Sequence, residues 1–128
     1  MWATIVLATA VDGCADGGDS ESFAVNLDMP IDAELAGIGE QLFAQRGCVA
    51  CHKIGEGRLV GPDLQGVTGR RSYDWIYAMI TAPDSMLQTD STVKRLFAEY
   101  FTPMPNQKVQ PDEARALYEY LRTTAETP

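Results

Sequence analysis

Gly47-Cys48-Val49-Ala50-Cys51-His52 holds two of the chain's three cysteines and its only histidine. The spacing C-x-x-C-H is the attachment pattern of a c-type haem. Each thiol adds to one vinyl group of the porphyrin, and two intervening residues let both sulfurs, Cys48 and Cys51, reach the same edge. The adjoining His52 then lies beneath the iron and supplies an axial nitrogen. Its other ring nitrogen needs an acceptor, usually a backbone carbonyl, and Gly61-Pro62-Asp63-Leu64 is a nearby source. Two other chemistries use similar residues. A thioredoxin-like pair follows a strand and opens a helix, whereas the residues before Cys48 read as a helix. A structural zinc site needs four Cys or His ligands, and the fourth here, Cys14, lies 34 residues before Cys48.

The second axial ligand comes from elsewhere. One histidine excludes a bis-histidine iron, leaving Met1, Met29, Met79, Met86 and Met104. Met104 sits in Thr102-Pro103-Met104-Pro105-Asn106, a segment too rich in proline for a helix or inner strand. A rigid loop of that kind can present a thioether at low entropic cost. Met86, in a loop expected after Pro83, is the alternative, and Met79 reads as a packing residue of a helix.

Working outward from the motif, Asp32 is a suitable N-cap for a helix over about 33–46. Leu35, Ile38, Leu42 and Phe43 fall on one stripe of it, and Gly47 ends it. A middle helix is expected from about Tyr73 to Thr81, with Trp75, Ile76, Met79 and Ile80 over the haem. Trp75 either offers its indole N–H to a haem propionate or packs in the core. A further helix is expected from Thr92 to Tyr100. The last begins near Pro111, followed by Asp112 and Glu113, where the helix dipole favours anions. Ala114, Leu117, Tyr118 and Leu121 form its apolar face.

This order of helix, Gly-Cys-Val-Ala-Cys-His, Gly-Pro-Asp-Leu, Gly-Arg, helix, Met-Pro-Asn and helix resembles the small bacterial class I cytochromes c over about residues 33–124. The resemblance implies an all-α fold around one covalently attached haem c, with His52 and Met104 as axial ligands to its iron. It implies that the Pro62 carbonyl accepts from His52 and that Arg70 lies near a propionate. It also implies crossing terminal helices, with Gly39 and Phe43 meeting the face around Leu117, Tyr120 and Leu121. The stretch Lys94-Arg95-Leu96-Phe97-Ala98-Glu99-Tyr100 is similar to cytochrome domains associated with bacterial terminal oxidases. By this resemblance the protein is an electron carrier rather than an enzyme. Its donor would be a quinol-oxidising membrane complex and its acceptor a terminal oxidase. The alternative is a cytochrome subunit of a larger reductase or dehydrogenase, similar to that of nitric oxide reductase. A monomer is expected, with an exposed haem edge framed by Val49, Ala50, Pro105 and Val109 and ringed by Arg46, Lys53 and Lys108.

Composition agrees with one globular domain: 128 residues, 45% hydrophobic and 22% charged. The net charge of −8 is concentrated at the start. Residues 1–32 carry six acids and no Lys or Arg, whereas residues 33–128 carry 12 acids and 10 bases. With no basic stripe to neutralise phosphates, nucleic-acid binding is not expected. Trp2 to Val11 is an apolar run, and Val11-Asp12-Gly13-Cys14 resembles a bacterial lipoprotein cleavage site, although no Lys or Arg precedes it. Residues 1–13 therefore read as a signal-peptide remnant. Residues 14–32 read as an anchor cysteine, Cys14, followed by a polar tether and an extended wrap, and 33–128 as the cytochrome domain. In the wrap, Phe23, Val25, Leu27 and Met29 alternate with polar or small residues and are expected to pack on the domain surface. This arrangement predicts a periplasmic or otherwise extracytoplasmic protein, lipid-anchored to the membrane.

Overall fold

The structure is a computed structural model, described here for residues 29–125. Those residues form six α-helices and no strand: α1 (Ala33–Gln45), α2 (Val67–Arg70), α3 (Tyr73–Thr81), α4 (Pro83–Thr89), α5 (Ser91–Tyr100) and α6 (Pro111–Ala125), with a 3-10 turn at Cys48–Ala50 between α1 and α2. None of these helices is long and apolar enough to cross a membrane.

Four of the helices, α1, α3, α5 and α6, start where the sequence offers a side-chain acceptor for the unbonded N–H groups there. Asp32 Oδ1 accepts from the Leu35 N–H at 3.0 Å, Ser72 Oγ from Trp75 at 3.2 Å, and Asp90 Oδ1 from Val93 at 2.9 Å. At the head of α6, Glu113 Oε2 reaches back to the Gln110 N–H at 2.9 Å. The same carboxylate pairs with Arg46, so the first turn of α6 is fastened to the end of α1. Gly47, at φ +76°, ends α1 in the left-handed conformation that glycine adopts without steric cost.

The most extensive helix contact is between α1 and α6. It depends on Gly39, where an added Cβ would stand 2.0 Å from the Ala116 carbonyl oxygen and 2.8 Å from Tyr120 Cβ. One turn further on, the Phe43 and Tyr120 rings pack at 5.6 Å between centroids. Phe43 joins Val109, Ala114 and Leu117 in one buried cluster, while Val67, Ile76, Tyr118 and Leu121 form a second. Ile54, Leu64 and Ile80 pack against both clusters. The expected crossing therefore holds for Gly39, Phe43, Leu117 and Tyr120. Leu121, placed with them by resemblance, turns instead toward Val67 and Ile76.

Three further expectations need correction. The segment after Pro83 is not a loop: proline at the first position and Asp84 beside it begin a two-turn helix, α4, that carries Met86. Val109, placed at an exposed edge, is buried in the Phe43 cluster. Met29, expected to pack on the surface, has a side chain 60% exposed, although its carbonyl accepts from Arg122 Nη2 at 2.6 Å. Phe23, Val25, Leu27, Cys14 and residues 1–13 lie outside the described residues.

Glu119 was not singled out by the sequence reading. Its side chain is fully buried in α6, where its carboxylate accepts from Arg115 Nη2 at 2.8 Å, from Arg122 Nη1 at 3.0 Å, and from the Asp32 backbone N–H at 3.1 Å. A buried carboxylate is tolerable only when paired and hydrogen-bonded in this way. The arrangement ties the entrance of α1 to the last turns of α6.

Candidate functional site

The helices surround an apolar cleft of about 290 Å³, close to the smaller cofactor sites of roughly 300 Å³. Cys48, Cys51, His52 and Met104 all line it. The 3-10 turn creates this side of the wall. The Cys51 and His52 N–H groups both donate to the Cys48 carbonyl, at 3.1 and 2.9 Å, so the chain coils tightly enough to bring two thiols and an imidazole to one surface.

His52 Nδ1 lies 2.8 Å from the Pro62 carbonyl oxygen. A carbonyl only accepts, so Nδ1 carries the proton and Nε2 keeps its lone pair for a metal. The ring passes very close to the main chain at Gly61, where a Cβ would stand 2.7 Å from His52 Cε1 and 3.0 Å from Nδ1. Gly61 is therefore part of the site. In the sequence it stands out only as a neighbour of Pro62, because its role depends on a side chain nine residues away that folding brings beside it.

Burial pushes the Cys48 thiol above its ordinary value, outweighing a hydrogen bond to its backbone that acts the other way. A reactive dithiol needs the opposite shift, so the thioredoxin-like alternative gains nothing from this environment. No group of three or more His, Cys, Asp or Glu side chains is gathered to hold a metal ion among the described residues. The zinc alternative also gains no support. Two sulfurs, one imidazole with its lone pair directed by a carbonyl, and a half-buried thioether around an apolar cleft do match the donor set of a covalently attached haem.

Met104 and Met79 both line the cleft, and Met86 is not among its lining residues. Met104 projects from the non-helical stretch between α5 and α6, flanked by exposed Pro103 and Pro105. The apolar face of α5 also points inward: Val93, Leu96, Phe97 and Tyr100 line the same cleft.

Arg70 and Trp75 are both at the cleft wall. Arg70 is exposed, with Nη1 donating to the Gln65 carbonyl at 2.6 Å and Nη2 to the Asp63 carbonyl at 3.4 Å. Its fork thus braces the loop that carries Pro62. The Trp75 indole N–H donates to Asp90 Oδ2 at 3.2 Å, tying α3 to the cap of α5, and the Arg71 guanidinium lies 5.0 Å from the ring centre. That N–H is therefore engaged within the protein. At the attachment turn, Val49 is 51% exposed and Ala50 and Pro105 are also exposed. Of the expected ring of cations, Arg46 is paired with Glu113 and Lys53 lies 3.5 Å from Glu56, while Lys108 is exposed.

Comparison with known proteins agrees with this geometry. Residues 36–125 match the family model for cytochrome c. The curated cytochrome c-551 of Pseudomonas denitrificans is 30% identical over 87 residues, covering 66% of this chain and 95% of that protein. The solved cytochrome c of Rhodothermus marinus is 42% identical and aligns with a TM-score of 0.75 over 80% of this chain and 86% of its own. The cytochrome c domain of the pp3183 protein of Pseudomonas putida is 37% identical, with a TM-score of 0.60 over 69% of this chain and 89% of its own. Because the family match runs from the first turn of α1 to the last residue of α6, the cleft and every helix around it fall within the shared region, and the chain belongs to the cytochrome c family.

Proposed function

We propose that this cytochrome c is a one-electron carrier of a respiratory chain, taking electrons from a quinol-oxidising membrane complex and passing them to a terminal oxidase. Carrying electrons is the family's role; the respiratory placement is our reading. The observation that carries it is the meeting of Cys48, Cys51, His52 and Met104 around one cleft. In this reading Cys48 and Cys51 form the thioether links, and His52 and Met104 are the axial ligands. Once bound, the haem supplies an iron that alternates between ferric and ferrous states.

The protein's own residues favour transfer over catalysis. His52, held by Pro62, and Met104, held between two prolines, are the residues that would hold the iron, and with both engaged no place would be left for a substrate. A methionine opposite a histidine raises the reduction potential. Rigid placement of both ligands keeps rearrangement small when the charge changes. Val49, Ala50 and Pro105 expose apolar surface beside the attachment turn, with cations nearby, which suits brief docking with weak steering. Cys14 is proposed as a lipid anchor holding the domain at the extracytoplasmic face of the membrane, on the strength of the Val11-Asp12-Gly13-Cys14 pattern.

Absorption spectra of the oxidised and reduced holoprotein test the assignment. The wild type is expected to be red, to show the weak far-red band of a sulfur–iron bond, and not to bind carbon monoxide when reduced at neutral pH. Met104→Ala should abolish the far-red band and admit carbon monoxide, whereas Met79→Leu should do neither. A colourless wild type from a host able to mature c-type cytochromes would overturn the haem reading. Loss of the band in Met79→Leu alone would move the ligand. Co-purification with a catalytic partner would favour a subunit over a mobile carrier.

A further inference from the structure

The backbone that orients His52 is itself held by a carboxylate. Pro62 supplies the accepting carbonyl, and its direction is set by the peptide plane shared with Asp63, because the peptide bond is planar. Asp63 is gripped on several sides. Its Oδ1 accepts from the Gly55 N–H at 3.0 Å and the Gln65 N–H at 2.7 Å, and its Oδ2 from the Gly57 N–H at 2.6 Å. Its own carbonyl accepts from Arg70 Nη2. Gly55 and Gly57 reach inward through left-handed backbone, at φ +80° and +88°, which glycine adopts without penalty. The Leu64 N–H closes the same loop onto the Lys53 carbonyl at 2.9 Å, and the Gly61 N–H closes it onto the Cys51 carbonyl at 2.7 Å.

We infer that Asp63 is a positioning residue for His52: by folding segment 53–65 around its carboxylate, it fixes the direction of the Pro62 carbonyl and so the donor strength of the imidazole. The inference rests on the haem reading above. The three N–H groups hold the Asp63 carboxyl below the usual carboxylate range, so at neutral pH it is a pure acceptor, with lone pairs enough for all three. A ligating imidazole that donates a firm hydrogen bond is a more basic ligand. More electron density at the metal favours the oxidised state. Loosening the loop weakens that bond and favours reduction.

The test uses the full chain with haem attached, in three variants. Asp63→Ala removes the acceptors, Asp63→Asn removes the charge but keeps an oxygen for Gly55 and Gln65, and Glu56→Gln removes an exposed charge from the same loop. Two readouts are taken: the equilibrium with a reference one-electron couple, and solvent exchange of the His52 Nδ1 proton in the reduced protein by NMR. Asp63→Ala is expected to tip the equilibrium toward the reduced form by about threefold or more, on a scale where about 59 mV is tenfold. It should also quicken the proton exchange by up to about tenfold, as loss of roughly one hydrogen bond's net stabilisation would. Asp63→Asn should move both readouts less, and Glu56→Gln should leave the exchange unchanged. Equal shifts in the Asn and Ala variants would mean that charge alone is responsible and would overturn the inference, as would unchanged exchange in Asp63→Ala. If Asp63→Ala does not accumulate as holoprotein, Asp63→Asn decides: exchange faster than in Glu56→Gln supports the role, and identical exchange overturns it. A colourless wild type sinks the haem reading instead, so the two failures are distinguishable.

Discussion

At Gly61 there is no room for a methyl group. A Cβ there would press on His52 Cε1 and Nδ1, the atoms flanking the bond to Pro62, with main chain on its other side. Relief must come from the imidazole or from the loop. Gly61→Ala is therefore expected to destabilise the holoprotein by roughly 1–3 kcal/mol, as overpacking of a fitted site does. It should also weaken the far-red band, because the ring and its ligand geometry move together. Thermal unfolding and the absorption spectrum check this, and a variant with wild-type values in both would show that the contact relaxes harmlessly. Cys48, Cys51 and His52 were legible in the sequence because the covalent chemistry requires those residue types at that spacing. That Met104 would reach the cleft was legible because two prolines isolate it. Gly61 and the reach of Asp63 were not, since each matters through atoms that only the folded loop brings near.

Among the elements, the pair α1 and α6 sets the frame on which the cleft is built. Their close approach rests on Gly39, and the clash there is with main chain: the Ala116 carbonyl oxygen would lie 2.0 Å from the new methyl. Backbone cannot step aside as a flexible side chain can. Gly39→Ala should push the helices apart at their crossing, strain the Phe43–Tyr120 contact, and lower stability by about 3 kcal/mol, the upper end for overpacking. That corresponds to a fall in Tm of more than about 10 °C for a domain of this size. Gly37, two residues earlier, has open space around its Cβ position, so Gly37→Ala should be neutral or stabilising. Equal effects of the two substitutions would refute the packing argument. Helix positions and caps were readable from Asp32, Pro111 and the apolar stripe. The two-turn α4 is not evident from the sequence because Pro83, which bars the preceding helix from continuing, is also a favoured helix start. Glu119 was missed because periodicity places a glutamate outside, and its burial depends on Arg115, Arg122 and the distant Asp32 N–H.

For the whole molecule, three of the carboxylates that join separate parts are held below their ordinary range. Asp63 closes the His52 loop through backbone N–H groups. Asp90 caps α5 through Val93 and receives the Trp75 indole. Glu113 pairs first with Arg46 and then with the Gln110 N–H. Depressed folded values mean that the unfolded chain, with carboxyls near about 3.9–4.3, binds more protons as acid is added. The stabilisation is therefore complete above about pH 5 and is lost as the pH falls from the unfolded values through the depressed folded ones. Because these groups are only half-buried, each contribution is screened, and the cumulative slope is the measurable quantity. Urea unfolding of the holoprotein at a series of pH values should show stability falling on the acid side. Asp90→Asn is the informative variant, since asparagine caps a helix about as well as aspartate yet cannot titrate. It should change stability at neutral pH only slightly while flattening the slope below about pH 5. Adding Glu113→Gln should flatten it further, at a larger cost at neutral pH through the lost Arg46 pair. A double variant whose acid slope matches the wild type would show that other groups govern acid unfolding, and that the links from α3 to α5 and from α1 to α6 do not act through these charges.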